Sequence, residues 1–208
     1  MGTLRDTWMR STPKEHPFRW LGTEPGELID DEAARALAET FPSDGYQRLD
    51  TSLRENGKQY RNFSRPVVTP GAPSDMDLPE PWLELISDLV GPAYRADVAR
   101  LLGQQPAPEV EIRLVRHEDG DWIAPHTDRD DKLFSHIIYF NLEWERQWGG
   151  CLQVLDGPAS SGVVATVIPR LGTSVLMARA DNSWHQVTPV SSPTPKARQS
   201  LLLHGVHA

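Results

Sequence analysis

The second half of the chain consists of short runs of β-branched and aliphatic residues separated by turn-forming residues, and this pattern limits the possible folds more than any other feature. Short strands at such regular spacing are typical of an antiparallel sandwich or barrel. Because the chain is 208 residues long, it can bury a core without the help of disulfides. We predict strands at 109–117, 133–141, 151–155, 163–168, 173–177, 183–190 and 198–206.

The first half of the chain favours helices. Asp30 is a suitable N-cap for a helix over 30–41, because acidic residues follow it in the first turn. A second helical stretch covers 79–102, and the Gly91-Pro92 pair interrupts it. Helices followed by a run of strands predict an α+β fold that is mainly β.

Two N-terminal segments are polar and irregular in pattern. The polar pattern of residues 1–17 predicts a loose arm. Residues 43–78 contain one possible strand, near 59–63, and a segment of this length is usually a lid or a binding loop. We therefore expect a single domain, 1–208, whose parts are the loose arm (1–17), helical support with a lid segment (18–108) and a strand core (109–206).

Charge and composition exclude several classes of protein. The 29 acidic residues outnumber the 21 basic ones, which argues against a nucleic-acid binder or a protein of anionic membrane surfaces. A single cysteine excludes an internal disulfide framework and a cysteine-cluster zinc site, and it fits a reducing compartment. The absence of a secretory signal and of a long apolar stretch favours a cytoplasmic protein without a membrane span.

A pattern of histidine and carboxylate residues in the strand half indicates a metal site. His126 and Asp128 point to the same side if they lie on one strand, and His185 follows 57 residues after Asp128. Two imidazoles and one carboxylate form the facial triad of non-haem Fe(II) oxygenases, which leaves further coordination positions open. Arg198 follows 13 residues after His185. A histidine-x-aspartate pair alone occurs often by chance, so the order and strand context of all four residues carry the prediction.

The same half of the chain resembles a known family. It reads GDWIAPHTD over 120–128, YFNLEW over 139–144, GGCL over 149–152, HQVTPV over 185–190 and RQS over 198–200. These segments resemble the 2-oxoglutarate (2OG)-dependent Fe(II) oxygenases, particularly their prolyl-hydroxylase-like branch. The resemblance covers about 109–206, and the N-terminal helices carry no motif of their own.

The resemblance implies a double-stranded β-helix, or jelly-roll, core with supporting N-terminal helices. It further implies that Fe(II), 2OG and O2 are the cofactor and cosubstrates. The metal ligands would be His126, Asp128 and His185, and the far carboxylate of 2OG would meet Arg198, with help from Ser200 and Tyr139. An arginine suits this role because its planar fork binds a carboxylate through two hydrogen bonds.

The sequence departs from the family at His117, where the prolyl-hydroxylase-like branch usually has a tyrosine. On a strand, His117 shares a face with Arg113 and Glu111, and the family analogy turns this face towards the pocket. We expect Arg113, His117 and Trp122 to be candidate substrate contacts. The alternatives stay open: an Arg113–Glu111 ion pair, a structural role for His117 and core packing for Trp122.

The expected activity is hydroxylation of an unactivated C–H bond in a small carboxylate-bearing substrate, such as an amino acid or a natural-product intermediate, with release of succinate and CO2. Asp128 argues against the halogenases of the family, which lack this carboxylate. The alternatives are a prolyl or peptidyl hydroxylase, a cupin-type dioxygenase that does not use 2OG, and a non-catalytic metal-binding module. The remaining histidines of the strand half are expected to be structural or exposed: His136, His204 and His207.

Overall fold

A computed structural model describes residues 3–52, 58–72, 74–75, 77–191 and 196–207. Its strands form one antiparallel sheet in the order β1-β9-β6-β11-β4-β3-β5-β10-β7-β8, with β2 paired to β3. The strands are β1 Trp20–Thr23, β2 Gln47–Asp50, β3 Tyr60–Val68, β4 Glu109–His117, β5 Trp122–His126, β6 Lys132–Tyr139, β7 Leu152–Leu155, β8 Val163–Val167, β9 Ser174–Ala178, β10 His185–Val187 and β11 Arg198–Val206. The helices are α1 Asp31–Glu39, α2 Glu80–Val90 and α3 Pro92–Leu102, and two short 3₁₀ turns cover Asp6–Arg10 and Arg146–Trp148.

The sheet curls into a nearly closed antiparallel barrel with the jelly-roll arrangement that the resemblance implies. Strand β11 lies in its middle and pairs with β4 from Arg198↔His117 to Val206↔Glu109. On its other side β11 pairs with β6. Strand β5 pairs with both β3 and β10, and this double pairing joins the two halves of the sheet.

Side chains alternate between the two faces of the sheet, as the strand period of two requires. On β4, Ile112 and Leu114 belong to the hydrophobic core that also contains the helices. The intervening residues Arg113 and Val115 line a cavity on the opposite face. The same alternation on β6 and β11 places an apolar core on the outer face and a polar site inside the barrel.

The predicted helices are confirmed. The Asp30 side chain accepts hydrogen bonds from the backbone N–H groups of Glu32 and Ala33, both at 3.0 Å, and so caps α1. Gly91 separates α2 from α3, and the helices cover the sheet with a stripe of fully or almost fully buried residues: Trp82, Leu85, Ile86, Leu89, Tyr94, Val98, Leu101 and Leu102. Among the described residues there is no helix with the length and hydropathy needed to cross a bilayer.

The prediction of a loose N-terminal arm is wrong for the described residues from 3 onwards. Trp8 is buried and stacks against the rings of Tyr94 and His136. The backbone N–H of Thr3 donates to the carboxylate of Asp88 at 2.5 Å. One aromatic side chain in a polar segment is therefore enough to fix the arm on α3, because its burial removes a large apolar area from water.

The interpretation of 43–78 as a polar loop with one short strand is also wrong in part. The segment contains the antiparallel pair of β2 and β3, and β3 pairs in turn with β4. The strand is hard to recognise because Asn62 and Ser64 put polar groups on the inner face of the sheet, where an apolar side chain is expected. Residues 53–57, at the centre of the expected lid, lie outside the described residues.

All seven predicted strands are present, with ends that differ by up to a few residues. The largest difference is β10, which covers only His185–Val187 of the predicted 183–190. The residues at which a strand begins and ends depend on its pairing with neighbouring strands, and the local sequence pattern does not report that pairing. The organisation as a single domain stays a prediction.

Two consecutive glycines shape the turn before β7. Gly149 and Gly150 have φ angles of 65° and 62°, in the left-handed region that favours glycine. A Cβ on Gly149 would lie 1.9 Å from the Pro189 carbonyl oxygen. The carbonyl of Gly150 accepts a hydrogen bond of 2.7 Å from Nε of Arg198, so this turn positions a residue of the predicted site.

We expect Gly149→Ala to lower the free energy of unfolding by more than about 2 kcal/mol, because left-handed backbone costs an L-residue about 1–2 kcal/mol and the steric clash adds to it. Denaturant titration measures the effect. Gly157→Ala is the matched control: a Cβ added at Gly157 would meet no atom within 4 Å, and we expect a change within about 0.5 kcal/mol. Equal stabilities of the two variants would contradict this account of the turn.

Candidate metal centre

The three predicted metal ligands lie together at one end of the barrel cavity. His126 ends β5, His185 begins β10, and the two residues are directly paired in the sheet. Asp128 lies two residues beyond the end of β5, so its side chain reaches the centre from the following turn and not from the strand itself. Their nearest ligand atoms all lie within 4.8 Å of one another.

Backbone carbonyls orient both imidazoles. Nδ1 of His126 lies 2.9 Å from the Ala124 carbonyl oxygen, and Nδ1 of His185 lies 2.9 Å from that of Ser183. Because a carbonyl only accepts, each Nδ1 carries the proton and each Nε2 presents a lone pair to the centre. Nε2 of His126 is buried and has no hydrogen-bond partner in the described part of the chain.

Electrostatics keep the three groups in the protonation states that a metal requires. Burial lowers the pKa of His126 to about 3, and it also lowers the pKa of His185, so both rings are neutral near pH 7. Burial alone would raise the pKa of Asp128, but interactions with His126, His185 and Lys58 outweigh burial and hold that pKa well below its usual range. Neutral imidazoles and an ionised carboxylate are the states that bind a divalent metal ion.

This donor set fits Fe(II). Two neutral nitrogen ligands and one carboxylate oxygen on one side of a point form the facial triad, which leaves the opposite positions open. The unpartnered Nε2 of His126 is a further sign of fit, since a buried polar atom normally has a partner.

A buried arginine marks a second part of the cavity. Arg198 is 2% exposed, and no carboxylate of the described residues forms an ion pair with it. Its Nε donates to Gly150, and one terminal nitrogen lies 3.2 Å from the Ser200 hydroxyl. Burial lowers the pKa of Arg198 by disfavouring the charged form. A buried cation without a counterion indicates an anionic ligand.

Tyr139 is buried beside Arg198 on the same face of β6 as Ser135 and Ile137, although it is not itself one of the residues that line the cavity. Its ring centroid lies 4.9 Å from Cζ of Arg198, and its buried hydroxyl has no hydrogen-bond partner among the described residues. Direct strand pairing joins Ser200 to Tyr139 and Arg198 to His117. Arg198, Ser200 and Tyr139 are thus neighbours, and the first two line the cavity, where their donors could bind a carboxylate.

His117 faces the same cavity and is 1% exposed. Its Nδ1 lies 3.3 Å from a terminal nitrogen of Arg198, which can only donate, so Nδ1 accepts. Burial, followed by the charge of Arg198, holds the pKa of His117 well below its usual range and keeps the ring neutral. The proton is therefore on Nε2, which is a buried donor without a partner in the described residues.

The triad and Arg198 belong to one cavity of about 500 Å³. Arg113 lines this cavity, and its Nε also donates to Glu111 at 2.5 Å, so the ion pair is present and the substrate contact stays a prediction. Trp122 does not line it: Ile123, the next residue of β5, does, and the strand alternation turns Trp122 to the other face. The expectation of a substrate contact at Trp122 is therefore not supported.

Sequence reasoning missed several cavity residues. Ser135 and His204 lie near Asp128, and Lys58 places Nζ 3.9 Å from Oδ1 of Asp128. A signal for His204 was present, since it shares a strand face with Arg198 and the intervening even-numbered residues of β11. His136, by contrast, is structural as expected and bonds to Tyr94 and Ser174 outside the cavity.

Comparison with protein families supports the assignment of the strand half. Residues 112–203 match the family model of the 2OG-Fe(II) oxygenase superfamily. No curated protein sequence matches the chain significantly.

Solved structures share the fold over most of the chain. A prolyl-4-hydroxylase from Pseudomonas putida is 20% identical, with a TM-score of 0.65 over 91% of this chain and 92% of that one. A Trichoplax adhaerens prolyl hydroxylase, in complex with a peptide fragment of the hypoxia-inducible factor oxygen degradation domain, is 12% identical, with a TM-score of 0.65 over 90% and 83%. The non-haem α-ketoglutarate-dependent epimerase SnoN from nogalamycin biosynthesis is 14% identical, with a TM-score of 0.59 over 91% and 76%. At these identities the likeness concerns the fold.

We expect Asp128→Ala and His185→Ala each to weaken Fe(II) binding by more than about 100-fold, since even groups that only contact metal ligands contribute about 10- to 100-fold. Anaerobic titration with Fe(II) measures the affinity. Asp130→Ala is the matched control, because Asp130 is exposed and pairs with Arg179 instead of facing the centre. Tight binding by Asp128→Ala would refute the site.

Proposed function

Since residues 112–203 place the chain in the 2OG-Fe(II) oxygenase superfamily, we propose that it hydroxylates an unactivated C–H bond of a small carboxylate-bearing substrate. The protein is a 2OG-dependent dioxygenase that uses Fe(II), 2OG and O2. When bound, iron and 2OG supply the oxidising chemistry, in which 2OG and O2 yield succinate, CO2 and the hydroxyl oxygen of the product. An amino acid or a natural-product intermediate fits the proposed substrate class.

In this proposal the protein holds and orients the reactants. His126, Asp128 and His185 are the metal ligands. Arg198, Ser200 and Tyr139 bind the far carboxylate of 2OG, and the support for this role is the buried guanidinium without a counterion beside an unpartnered tyrosine hydroxyl. All three metal ligands and Arg198 are buried or nearly so, which strengthens these polar interactions.

The charge of the cavity is the observation that carries the substrate class. Although the chain has a net charge of −8, basic side chains outnumber acidic ones among the residues that line the cavity. The lining residues include two acidic groups, Asp128 and Glu111, and Asp128 is assigned to the metal. Arg198 is assigned to 2OG. Four further basic groups line the cavity: Lys58, Arg113, Arg129 and Lys132. Such an excess of cations favours an anionic substrate.

Arg113 is the best-placed group for the substrate carboxylate. Glu111 holds it through Nε and holds Lys132 at 2.6 Å with its other oxygen. No hydrogen bond joins the terminal nitrogens of Arg113 to the described residues, so its fork remains available. This arrangement fixes an arginine without consuming the two donors that bind a carboxylate side by side.

The main alternative substrate is a prolyl residue in a peptide. The fold likeness to prolyl hydroxylases, one of them solved with a peptide fragment, favours it. The cavity volume of about 500 Å³ falls in the range of small-molecule sites and favours the small substrate. A cupin-type dioxygenase without 2OG and a non-catalytic module are less well supported, since neither needs the buried Arg198.

We expect anaerobic addition of 2OG to the Fe(II)-loaded protein to produce the weak visible charge-transfer band of the chelate. Arg198→Ala should weaken 2OG binding by at least about 30-fold, the equivalent of about 2 kcal/mol, while Fe(II) affinity stays close to that of wild type. Arg198→Lys should bind 2OG weakly as well, because lysine lacks the planar fork. Iron binding without a band in wild type would favour the dioxygenase that does not use 2OG.

The substrate class is tested by measuring 2OG-dependent succinate formation with a panel of amino acids, other small carboxylates and prolyl peptides. For an active small carboxylate, we expect Arg113→Gln to raise KM by about 10-fold or more, with a smaller change in kcat, because it removes a charge-assisted pair. Arg100→Gln, at an exposed position of α3, is the control. Turnover of prolyl peptides without turnover of small carboxylates would establish the alternative.

A further inference from the structure

Ser135 links the carboxylate of Asp128 to a histidine that the metal site does not otherwise use. The Ser135 hydroxyl lies 2.5 Å from Oδ2 of Asp128 and 2.8 Å from Nδ1 of His204. Ser135 is 2% exposed, and its strand β6 pairs it directly with His204 on β11. The two residues are therefore held by the central ladder of the sheet and not by a loop.

The direction of this hydrogen-bond chain follows from the chemistry of its members. A carboxylate that binds a metal ion is deprotonated and can only accept, so the single hydroxyl proton of Ser135 is donated to Oδ2 of Asp128. The Ser135 oxygen must then accept from His204, whose Nδ1 carries a proton. The chain runs from His204 through Ser135 to Asp128, and each donor has one acceptor.

We infer that Ser135 and His204 are positioning residues that hold the Asp128 carboxylate in place beside the proposed ligands His126 and His185. The inference rests on the proposed function. Both carboxylate oxygens lie at the ligand cluster: Oδ1 is 3.7 Å from Nε2 of His126, and Oδ2, which accepts from Ser135, is 4.0 Å from Nε2 of His185. The hydrogen bond from Ser135 restricts rotation of this carboxylate, as groups that contact metal ligands commonly do.

The chain contains a matched control for this arrangement. Ser174 lies 2.9 Å from Nε2 of His136, which is a second buried serine–histidine hydrogen bond. It belongs to the outer face of the same sheet, where Tyr94 is the other partner of His136. Ser174→Ala therefore removes a similar bond without touching a proposed metal ligand.

The test compares wild type, Ser135→Ala and Ser174→Ala by titration with Co(II), whose d–d absorption reports its coordination. We expect Ser135→Ala to raise the Kd for Co(II) by about 10- to 100-fold and to change the d–d spectrum, as loss of a group that orients a metal ligand does. Ser174→Ala should match wild type in both. Circular dichroism confirms that each variant is folded.

Three outcomes overturn the inference: an unchanged Kd and spectrum in Ser135→Ala, an equal effect in Ser174→Ala, or a change confined to thermal stability. If Ser135→Ala does not fold, His204→Leu decides in the same titration. It leaves the Ser135 hydroxyl in place but removes its donor, and a Kd raised by about fivefold or more supports the inference, whereas an unchanged Kd overturns it. Failure of wild type to bind Co(II) would instead contradict the proposed function.

Discussion

The pairing of β11 between β4 and β6 is the interaction on which the rest of the structure depends. Because the side-chain period of a strand is two, this ladder sends Leu201 and Leu203 into the core beneath the helices and Arg198 and Ser200 into the cavity. A shift by one residue would reverse every side chain. The long register over β11 therefore stabilises the fold and the site together.

Several polar groups at the site are buried without a protein partner, and a ligand would supply the missing interactions. Tyr139, His117 and His126 each present a buried polar atom without a partner in the described residues, and Arg198 is a buried cation without a carboxylate. Unsatisfied buried groups cost folding free energy, and a bound metal ion and dianion would offset that cost. The protein with the proposed metal ion and dianion bound is therefore expected to be more stable than the protein without them. Such a cost is common at functional sites.

Sequence reasoning succeeded where local pattern and chemistry agree. The helix caps and breaks, the seven strand segments and the ligand residues all carry local signals, since capping, period-two alternation and donor type depend on neighbouring residues alone. It failed where a distant contact overrides the local pattern. Trp8 fixes a polar arm that looked mobile, and Asn62 and Ser64 give β3 the appearance of a loop because their polar groups face the cavity.

The sequence by itself predicted the resemblance to the 2OG-dependent Fe(II) oxygenases, the donor set of two histidines and an aspartate, and an arginine suited to bind a carboxylate. Only the tertiary structure decided which further side chains share the cavity: Lys58 beside Asp128, the Glu111 clamp on Arg113, and the Ser135–His204 chain. The physical reason is sequence separation. Ser135 and His204 are 69 residues apart, and no local preference reports that strand pairing places one hydroxyl between a metal ligand and an imidazole.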